Sequence, residues 1–254
     1  MKFNLSNIKL SKADIRRKIV LPIKLTKELA EFIGIMVGDG HIRSSTGISK
    51  TGSKFQRSDV IITGSLKEKN YLEYVMVLFK RLFNIEMYSK RDFRSKTIQL
   101  FVHSMAVVQF LNKICEIKLN KKSDVVRVSE IIKNSNKNCK CAFLRGLADT
   151  DFSVSFQNKN DTGHKYPVIK GSFRSKNLVS DLELLFLELG FKYCTYYDEN
   201  RPDKRFSTIV VMHNIYLYGK HNLLFWINEI GFSNEKFIRK IRKWEQDGFC
   251  PPGY

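Results

Sequence analysis

Long hydrophobic runs are missing from this chain of 254 residues. No stretch approaches the roughly 18 apolar residues of a membrane-spanning helix, so the sequence excludes that class of protein. The basic N-terminus lacks the apolar core and small-residue cleavage site of a secretory signal, so we expect no export. The five cysteines are odd in number and follow neither a disulfide framework nor a zinc spacing. We therefore expect reduced thiols in an intracellular protein.

Acidic residues are also few. The chain has 25 Asp and Glu against 44 Lys and Arg, which gives a net charge of +19. Repulsion of this size opposes compaction and is typical of proteins with a polyanionic partner, of which nucleic acid is the first candidate. A membrane surface is the rival, but no basic amphipathic tail or lipidation signal supports it. The hydrophobic fraction of 43% is enough for a core.

One motif occurs twice. The first copy, Phe32–Gly40, reads FIGIMVGDG, and the second, Leu144–Phe152, reads LRGLADTDF. In each copy, an apolar helical stretch with small residues four positions apart ends at an acidic residue. Two such copies predict two pseudo-symmetric halves that meet at two carboxylates.

The predicted elements around the two copies follow one order: helix, two strands, helix, two strands, helix. In the first half we predict a helix capped by Thr26 and ending at Gly40, strands within 41–64, a helix over 66–83, a hairpin turning near Arg91–Ser95, and a helix over 104–114. In the second half we predict a helix ending at Asp151, strands at 152–157 and 167–173, a helix over 176–189 capped by Gly190, a hairpin turning at Asn200–Asp203 with its return strand at Phe206–Met212, and a helical region over 220–244.

We accordingly predict an α+β protein of two αββαββα halves. Residues 1–114 form the N-terminal half with a basic leader, 115–138 a linker, and 139–254 the C-terminal half. Each half is small for an independent core, so we expect the two to pack as one body.

The small residues and the acids of the motif predict a metal site. Gly34 and Gly38 share one helix face, and Gly146 and Thr150 repeat the spacing, so two helices can approach closely there. Asp39 and Asp151 would then meet at two negative helix ends, where they repel. A hard divalent cation resolves this conflict by binding carboxylates and helix-end carbonyls, and it would serve phosphodiester hydrolysis.

These motifs resemble the LAGLIDADG homing endonuclease family in its single-chain form with two motifs. The likeness covers nearly the whole chain. It implies a four-stranded antiparallel saddle sheet in each half, which lies along the DNA major groove, and two metal-bound centres that cut both strands across the minor groove. It also implies Mg²⁺ or Mn²⁺ at Asp39 and Asp151, with help from the carbonyls of Gly38 and Thr150.

The chain departs from the family pattern in several places. Val37 replaces the first acid of the motif, whereas Asp149 keeps it, and Arg145 stands where a small residue is usual. The basic residue that assists the attacking water resembles Arg174 in the second half, with Lys176 nearby. In the first half its position falls on Gly64-Ser65, and Lys67 is the nearest substitute. We therefore expect the two strands to be cut at unequal rates.

Predicted strands and turns carry polar and basic residues suited to base edges and phosphates. In the first half the candidate DNA contacts are Arg43, Lys50, Lys54, Gln56, Arg57, Lys90, Arg91, Arg94, Lys96 and Gln99. In the second half they are Gln157, Lys159, Lys165, Lys170, Lys192, Arg201, Lys204 and Arg205.

The sequence thus predicts a monomeric, site-specific double-strand DNA endonuclease that uses divalent metal at paired Asp residues and recognises a long asymmetric target. We expect an intron rather than an intein as its source, because no splicing Cys or Ser opens the chain. The alternative is an intron RNA-splicing maturase, or a non-cleaving DNA-binding protein, on the same scaffold. The expected location is the cytoplasm or nucleoid of an archaeon or phage host, or an organelle.

Overall fold

The fold comes from a computed structural model that describes residues 2–48, 52–120, 124–159, 163–203 and 208–254. Within these ranges, no helix has both the length and the apolar character needed to cross a membrane. All five cysteines are free thiols, and Cys194 alone among them is exposed.

The first half begins with a short helix and the first motif helix. Its elements are α1 (Lys12–Arg16), α2 (Lys27–Val37), β1 (Gly40–Ile48), β2 (Lys54–Ser65), α3 (Lys69–Phe83), β3 (Tyr88–Asp92), β4 (Thr97–His103) and α4 (Met105–Lys113). A short helix, α5 (Glu130–Lys133), lies in the predicted linker.

The second half repeats this order. Its elements are α6 (Lys137–Asp151), β5 (Phe152–Gln157), β6 (Tyr166–Phe173), α7 (Lys176–Leu189), β7 (Cys194–Asp203), β8 (Thr208–Tyr218), α8 (Gly219–Glu229) and α9 (Glu235–Asp247).

Each half contains a four-stranded antiparallel sheet. The strand orders are β1-β2-β4-β3 and β5-β6-β8-β7, so the two sheets share one topology. In both, alternate side chains face a helix-covered core: Ile98, Leu100 and Val102 of β4 are buried, as are Val154 and Phe156 of β5. The predicted α+β fold with two αββαββα halves is confirmed.

The first motif helix begins as predicted and ends early. The Thr26 side chain accepts the Leu29 N–H, which caps α2. The helix ends at Val37 rather than Gly40, because Gly40 already pairs with Ile62 in the sheet. Burial from Leu29 to Val37 is nearly complete, so this helix lies at the centre of the molecule.

Two predictions in the second half are wrong. Residues 200–203 belong to strand β7 and pair with residues 208–211 of β8, so the chain does not turn there. Pro202 suggested a turn, but β7 is an edge strand, where proline is tolerated. The helical region predicted over 220–244 is two helices, because Gly231 adopts a positive φ of 73° after α8.

The basic leader is part of the first-half core. Asp14 is fully buried and accepts hydrogen bonds from the Ser104 hydroxyl at 2.8 Å and the Ala106 N–H at 3.2 Å, at the start of α4. Burial by itself would raise the pKa of Asp14, but the bonds from Ser11, Ser104 and Ala106 outweigh it and lower the pKa below 3.8. This carboxylate therefore ties the leader to the body.

The predicted linker contacts both halves. Asn120 donates its N–H to the Ile42 carbonyl of β1. Further along, Ser175 donates to the Val126 carbonyl at 2.6 Å, and Arg127 pairs with Asp181 of α7 at 3.1 Å. The division into residues 1–114, 115–138 and 139–254 stays a prediction.

The motif helices α2 and α6 approach backbone to backbone. A Cβ added to Gly34 would lie 2.1 Å from the Phe143 carbonyl oxygen, and one added to Gly146 would lie 2.1 Å from the Glu31 carbonyl oxygen. No side chain fits at either position without separating the helices, so glycine sets the distance between the two halves.

Gly146→Ala should therefore lower the free energy of unfolding by about 1–3 kcal/mol, the usual cost of overpacking, because rigid backbone blocks the new methyl group. Gly64→Ala is the control, since its Cβ would meet only the movable Leu72 side chain at 3.0–3.4 Å. Urea unfolding of both variants checks this. Equal midpoints for Gly146→Ala and wild type would contradict it.

Candidate metal and nucleic-acid site

The close helix contact brings the two motif acids to one place. A Cβ on Gly38 would lie 2.0 Å from the Thr150 hydroxyl oxygen and 3.1 Å from Asp151 Oδ2. Asp39 is the next residue in the chain. The Asp151 carboxylate therefore lies against the turn that carries Asp39.

The two helix ends give this site a negative electrostatic potential. Helix α6 ends at Asp151 and α2 ends two residues before Asp39, so both acids lie near negative ends of helix dipoles. Thr150 donates its hydroxyl back to the Leu147 carbonyl at 2.9 Å. Asp39 is half-buried and Asp151 is exposed, so the pair opens toward solvent.

A buried polar network lies beneath the two acids. Asp149 accepts the backbone N–H groups of Ser233 and Asn234, at 3.0–3.1 Å, and so holds the start of α9 against α6. Burial raises the pKa of Asp149 to about 7, although these backbone bonds oppose the shift. The first-half counterpart, Val37, is packed in the apolar core.

Arg145, which departs from the motif, also belongs to this network. Its guanidinium pairs with Glu31 of α2, a residue that is 2% exposed. Tyr74 donates to the other Glu31 oxygen at 2.7 Å. Arg145 and Glu31 thus form an ion pair across the interface between the halves. Sequence reasoning missed this pair because the helix dipole alone accounts for an acid near the start of α2.

The first-half sheet carries a charged cluster on the face that the helices leave open. Asp59 is 1% exposed and binds Arg43, Arg57 and His103. Burial would raise the pKa of Asp59, but hydrogen bonds from Arg43, His103 and Arg57 outweigh it, so the pKa lies below 3.8. The carboxylate orients the two guanidinium groups over the sheet.

The second half, which carries the better-matched motif, corresponds to a known family. The family model described as "LAGLIDADG-like domain" matches residues 138–231. The resemblance predicted from the two motifs is therefore confirmed.

Solved homing endonuclease structures share the fold of most of the chain. I-SmaMI bound to an uncleaved DNA target in the presence of calcium ions aligns over 89% of this chain and 91% of its own, with a TM-score of 0.55 and 14% identity. I-DmoI in complex with DNA and Ca aligns over 80% and 88%, with a TM-score of 0.53 and 16% identity. The I-LtrWI LAGLIDADG homing endonuclease bound to target DNA aligns over 88% and 90%, with a TM-score of 0.53 and 14% identity.

Two curated proteins of Methanocaldococcus jannaschii are similar in sequence. The replication factor C small subunit is 26% identical over 215 residues, and the DNA polymerase is 26% identical over 191 residues. These regions cover 85% and 72% of this chain. The chain spans about a tenth of the length of each relative.

The basic residues expected near the LAGLIDADG acids are held in ion pairs or lie in a side cleft. Arg174 Nε lies 3.1 Å from Asp124 of the linker, and Lys176 Nζ lies 3.0 Å from Asp198 of β7. Lys67 is exposed in a cleft of 430 Å³ that Lys236 and Arg239 of α9 also line.

The first-half position that corresponds to Arg174 is Ser65. The residues after the motif acids, Gly40 and Phe152, pair with Ile62 and Gly171, and Ser65 and Arg174 each lie three residues beyond those partners. Ser65 caps the turn at Leu66–Glu68 and accepts the Lys67 N–H. The assisting roles of Arg174, Lys176 and Lys67 stay predictions.

The predicted DNA contacts fall into four groups. Strand pairing and the alternation of side chains along each strand assign the first group to the open sheet faces: Arg43, Arg57, Lys90, Gln99, Gln157, Lys170 and Arg201. They place Gln56 and Arg91 in register with the helix-covered faces. Arg94, Lys96, Lys159, Lys165 and Lys192 lie in turns or loops. Lys50, Lys204, Arg205 and the Lys54 side chain lie outside the described residues.

Asp59→Asn should destabilise the protein by about 1.5–3 kcal/mol at pH 7, because charge-assisted hydrogen bonds to three partners are weakened. The folded pKa of Asp59 is below 3.8, so this stabilisation is present above about pH 4 and disappears as the pH falls further. The difference in free energy of unfolding between wild type and variant should therefore become smaller at acidic pH. Denaturant unfolding at several pH values measures it.

Glu73→Gln is the control, because the Lys69–Glu73 pair is exposed on both sides and such pairs contribute little. If the loss of unfolding free energy in Asp59→Asn stays constant down to about pH 3, ionised Asp59 is not the stabilising group.

Proposed function

We propose that this chain is a site-specific double-strand DNA endonuclease that acts as a monomer. The observation that carries the proposal is the position of Asp151 Oδ2, 3.1 Å from where a Cβ on Gly38 would lie, which places it beside the turn that leads into Asp39. Support also comes from the fold, which is shared with LAGLIDADG homing endonucleases solved with DNA.

The acids suit a hard divalent cation. Within the described residues no cluster holds three or more His, Cys, Asp or Glu side chains, so two carboxylates are the side-chain ligands on offer. Mg²⁺ and Mn²⁺ accept such sites when carbonyl, water and phosphate oxygens complete the shell. Gly38 and Thr150 would supply the carbonyls. I-DmoI has been solved with Mn and with Ca, which supports divalent metal in this fold.

Each residue then has a defined task. Asp39 and Asp151 would hold the cation, and the small Gly38 and Thr150 keep the two helix ends close enough for them to do so. When bound, the cation lowers the pKa of water and stabilises the charge that develops on phosphate. Arg174 and Lys176 would orient the attacking water once DNA phosphates displace Asp124 and Asp198 from them. Lys67, which is exposed in its cleft, would do so in the first half.

The open sheet faces would lie along the DNA. A net charge of +19 attracts the duplex, and a β-ribbon fits the major groove. Arg43 and Arg57, oriented by Asp59, can donate to guanine edges there.

A non-cleaving role, as a DNA-binding protein or as an intron RNA-splicing maturase, is the second candidate. One observation favours it: the first-half position for an assisting cation is Ser65, whose hydroxyl already caps a turn. Clustered carboxylates facing phosphates count against it, since binding alone gains nothing from that repulsion.

Replacing the acids tests the proposal. Asp39→Asn and Asp151→Asn should each reduce cleavage of a randomised plasmid library in Mg²⁺ by about a hundredfold or more, the scale on which losing one electrostatic contact to a transition state slows an enzyme. DNA binding should persist. Asp247→Asn, an exchange in the α9 ion pair with Lys243, should cleave normally. Equal cleavage by all variants would refute the metal centre, and tight binding without any nicking would favour the second candidate.

The salt dependence of DNA affinity tests the proposed DNA interface separately from cleavage. If about six phosphates are neutralised, affinity should fall roughly a thousandfold between 50 and 200 mM salt because counterions are released. Filter binding or fluorescence anisotropy with a duplex measures the slope. A flat response would contradict a phosphate-tracking surface.

A further inference from the structure

The two sheets can be compared position by position. Gly40 pairs with Ile62 directly after Asp39, just as Phe152 pairs with Gly171 directly after Asp151. The remaining strands continue in the same relation. Positions on the open face of one sheet thus have counterparts on the other.

The counterparts differ in chemistry. Three adjacent strands carry Arg43, Asp59 and His103 in the first half. At the same three positions the second half carries Ser155, Val168 and Tyr218. The same correspondence sets Arg57 against Tyr166, and Lys90 against Tyr196. At these five positions the charged side chains of the first face are replaced by mainly aromatic and apolar ones on the second. Elsewhere the first face carries the Tyr88–Phe101 ring pair, and the second carries Lys170 at the position of Ile61.

The aromatic residues form a defined group, which we term the tyrosine cluster: Tyr166, Tyr196, Tyr216 and Tyr218. The rings of Tyr216 and Tyr218 are parallel with centroids 5.3 Å apart, and Tyr196 meets Tyr216 edge-on at 5.5 Å. Lys170 Nζ lies 4.9 Å from the centre of the Tyr216 ring. These contacts order the rings before any ligand arrives.

The cluster is accessible and has an apolar base. Tyr196 is 49% exposed, while Val168, the register partner of Tyr218, is 1% exposed. Burial raises the pKa of Tyr218 to about 12, so the phenol is neutral at working pH. The tyrosine positions therefore offer neutral rings where the first half offers Arg57, His103 and Lys90, while Lys170 and Lys159 lie over the Tyr216 and Tyr166 rings.

The major groove presents one apolar feature, the C5-methyl group of thymine. Ring contacts with that methyl group distinguish thymine from the other bases. Tyrosine hydroxyls can also reach phosphates, but such contacts carry no sequence information. An ordered apolar surface on a groove-facing sheet therefore fits thymine better than guanine.

We propose that the tyrosine cluster makes the second-half sheet select thymine through its methyl group, whereas the first-half sheet selects bases through charged donors. This inference rests on the proposed DNA-binding function. It assigns the two halves of the target different readout chemistry.

Two parallel selections test the inference. One randomised duplex library is amplified with dTTP and the other with dUTP, because uracil differs from thymine only in lacking the methyl group. Bound sites are sequenced from both. Preference for thymine in the second-half region should fall about fourfold per contacted methyl, as expected from the transfer free energy of one such group. Preferences at the first-half positions that Arg43, Arg57 and Lys90 would contact should stay unchanged.

Matched variants assign the regions. Tyr196→Ser should weaken the thymine preference at second-half positions, and Tyr196→Phe, which keeps the ring, should preserve it. Lys90→Ser, at the corresponding first-half position, should weaken overall affinity and leave methyl discrimination intact.

The outcomes separate the inference from the function. Enriched sites that are identical in the two libraries, or that lose preference equally in both halves, would overturn the inference and leave the nuclease standing. Absence of any enrichment would overturn both. Tighter binding of single-stranded oligonucleotide than of duplex through Tyr196 would show base stacking instead of methyl readout, and would also overturn it.

Discussion

The direct approach of α2 to α6 is the constraint on which the rest of the structure depends. At Gly34 and Gly146 each helix meets a carbonyl oxygen of the other, with no room for a side chain. This contact sets the distance between the halves and places both motif acids at one opening. The repulsion between the acids is the cost of that geometry. A divalent cation bound between the acids would relieve it, so the scaffold and the proposed chemistry have the same origin.

The two halves share one sheet topology but differ at the positions that matter for the site. The second motif keeps Asp149, which holds α9, whereas Val37 packs in the core. Arg174 follows the second-half sheet where Ser65 follows the first. The sheets differ as well, with an Asp59-centred charged cluster on one and tyrosines on the other. A homodimer could not carry such differences, and they suit a target whose two ends are unlike.

Much of the architecture could be predicted from local pattern. Apolar spacing located the motif helices, and the Thr26 and Gly190 caps were found where expected. Long-range features could not be predicted. Asp14 bonds to residues about 90 positions away and Arg145 pairs with Glu31 114 positions away, and neither has a local signal. Pro202 led to a wrong turn prediction, because only the complete sheet shows that its strand, β7, is an edge strand. The exposed tyrosine cluster could not be predicted, because aromatic residues in strands normally indicate a buried core.

The central claim is that one paired-acid opening acts on both strands of a duplex. Mapping the cut positions on each strand of a selected target tests it most directly. Because the acids lie together, we predict two cuts only a few base pairs apart, facing each other across the minor groove, whose width is about 6 Å. Cuts separated by a helical turn of about 10 base pairs or more, or cutting confined to one strand, would contradict it.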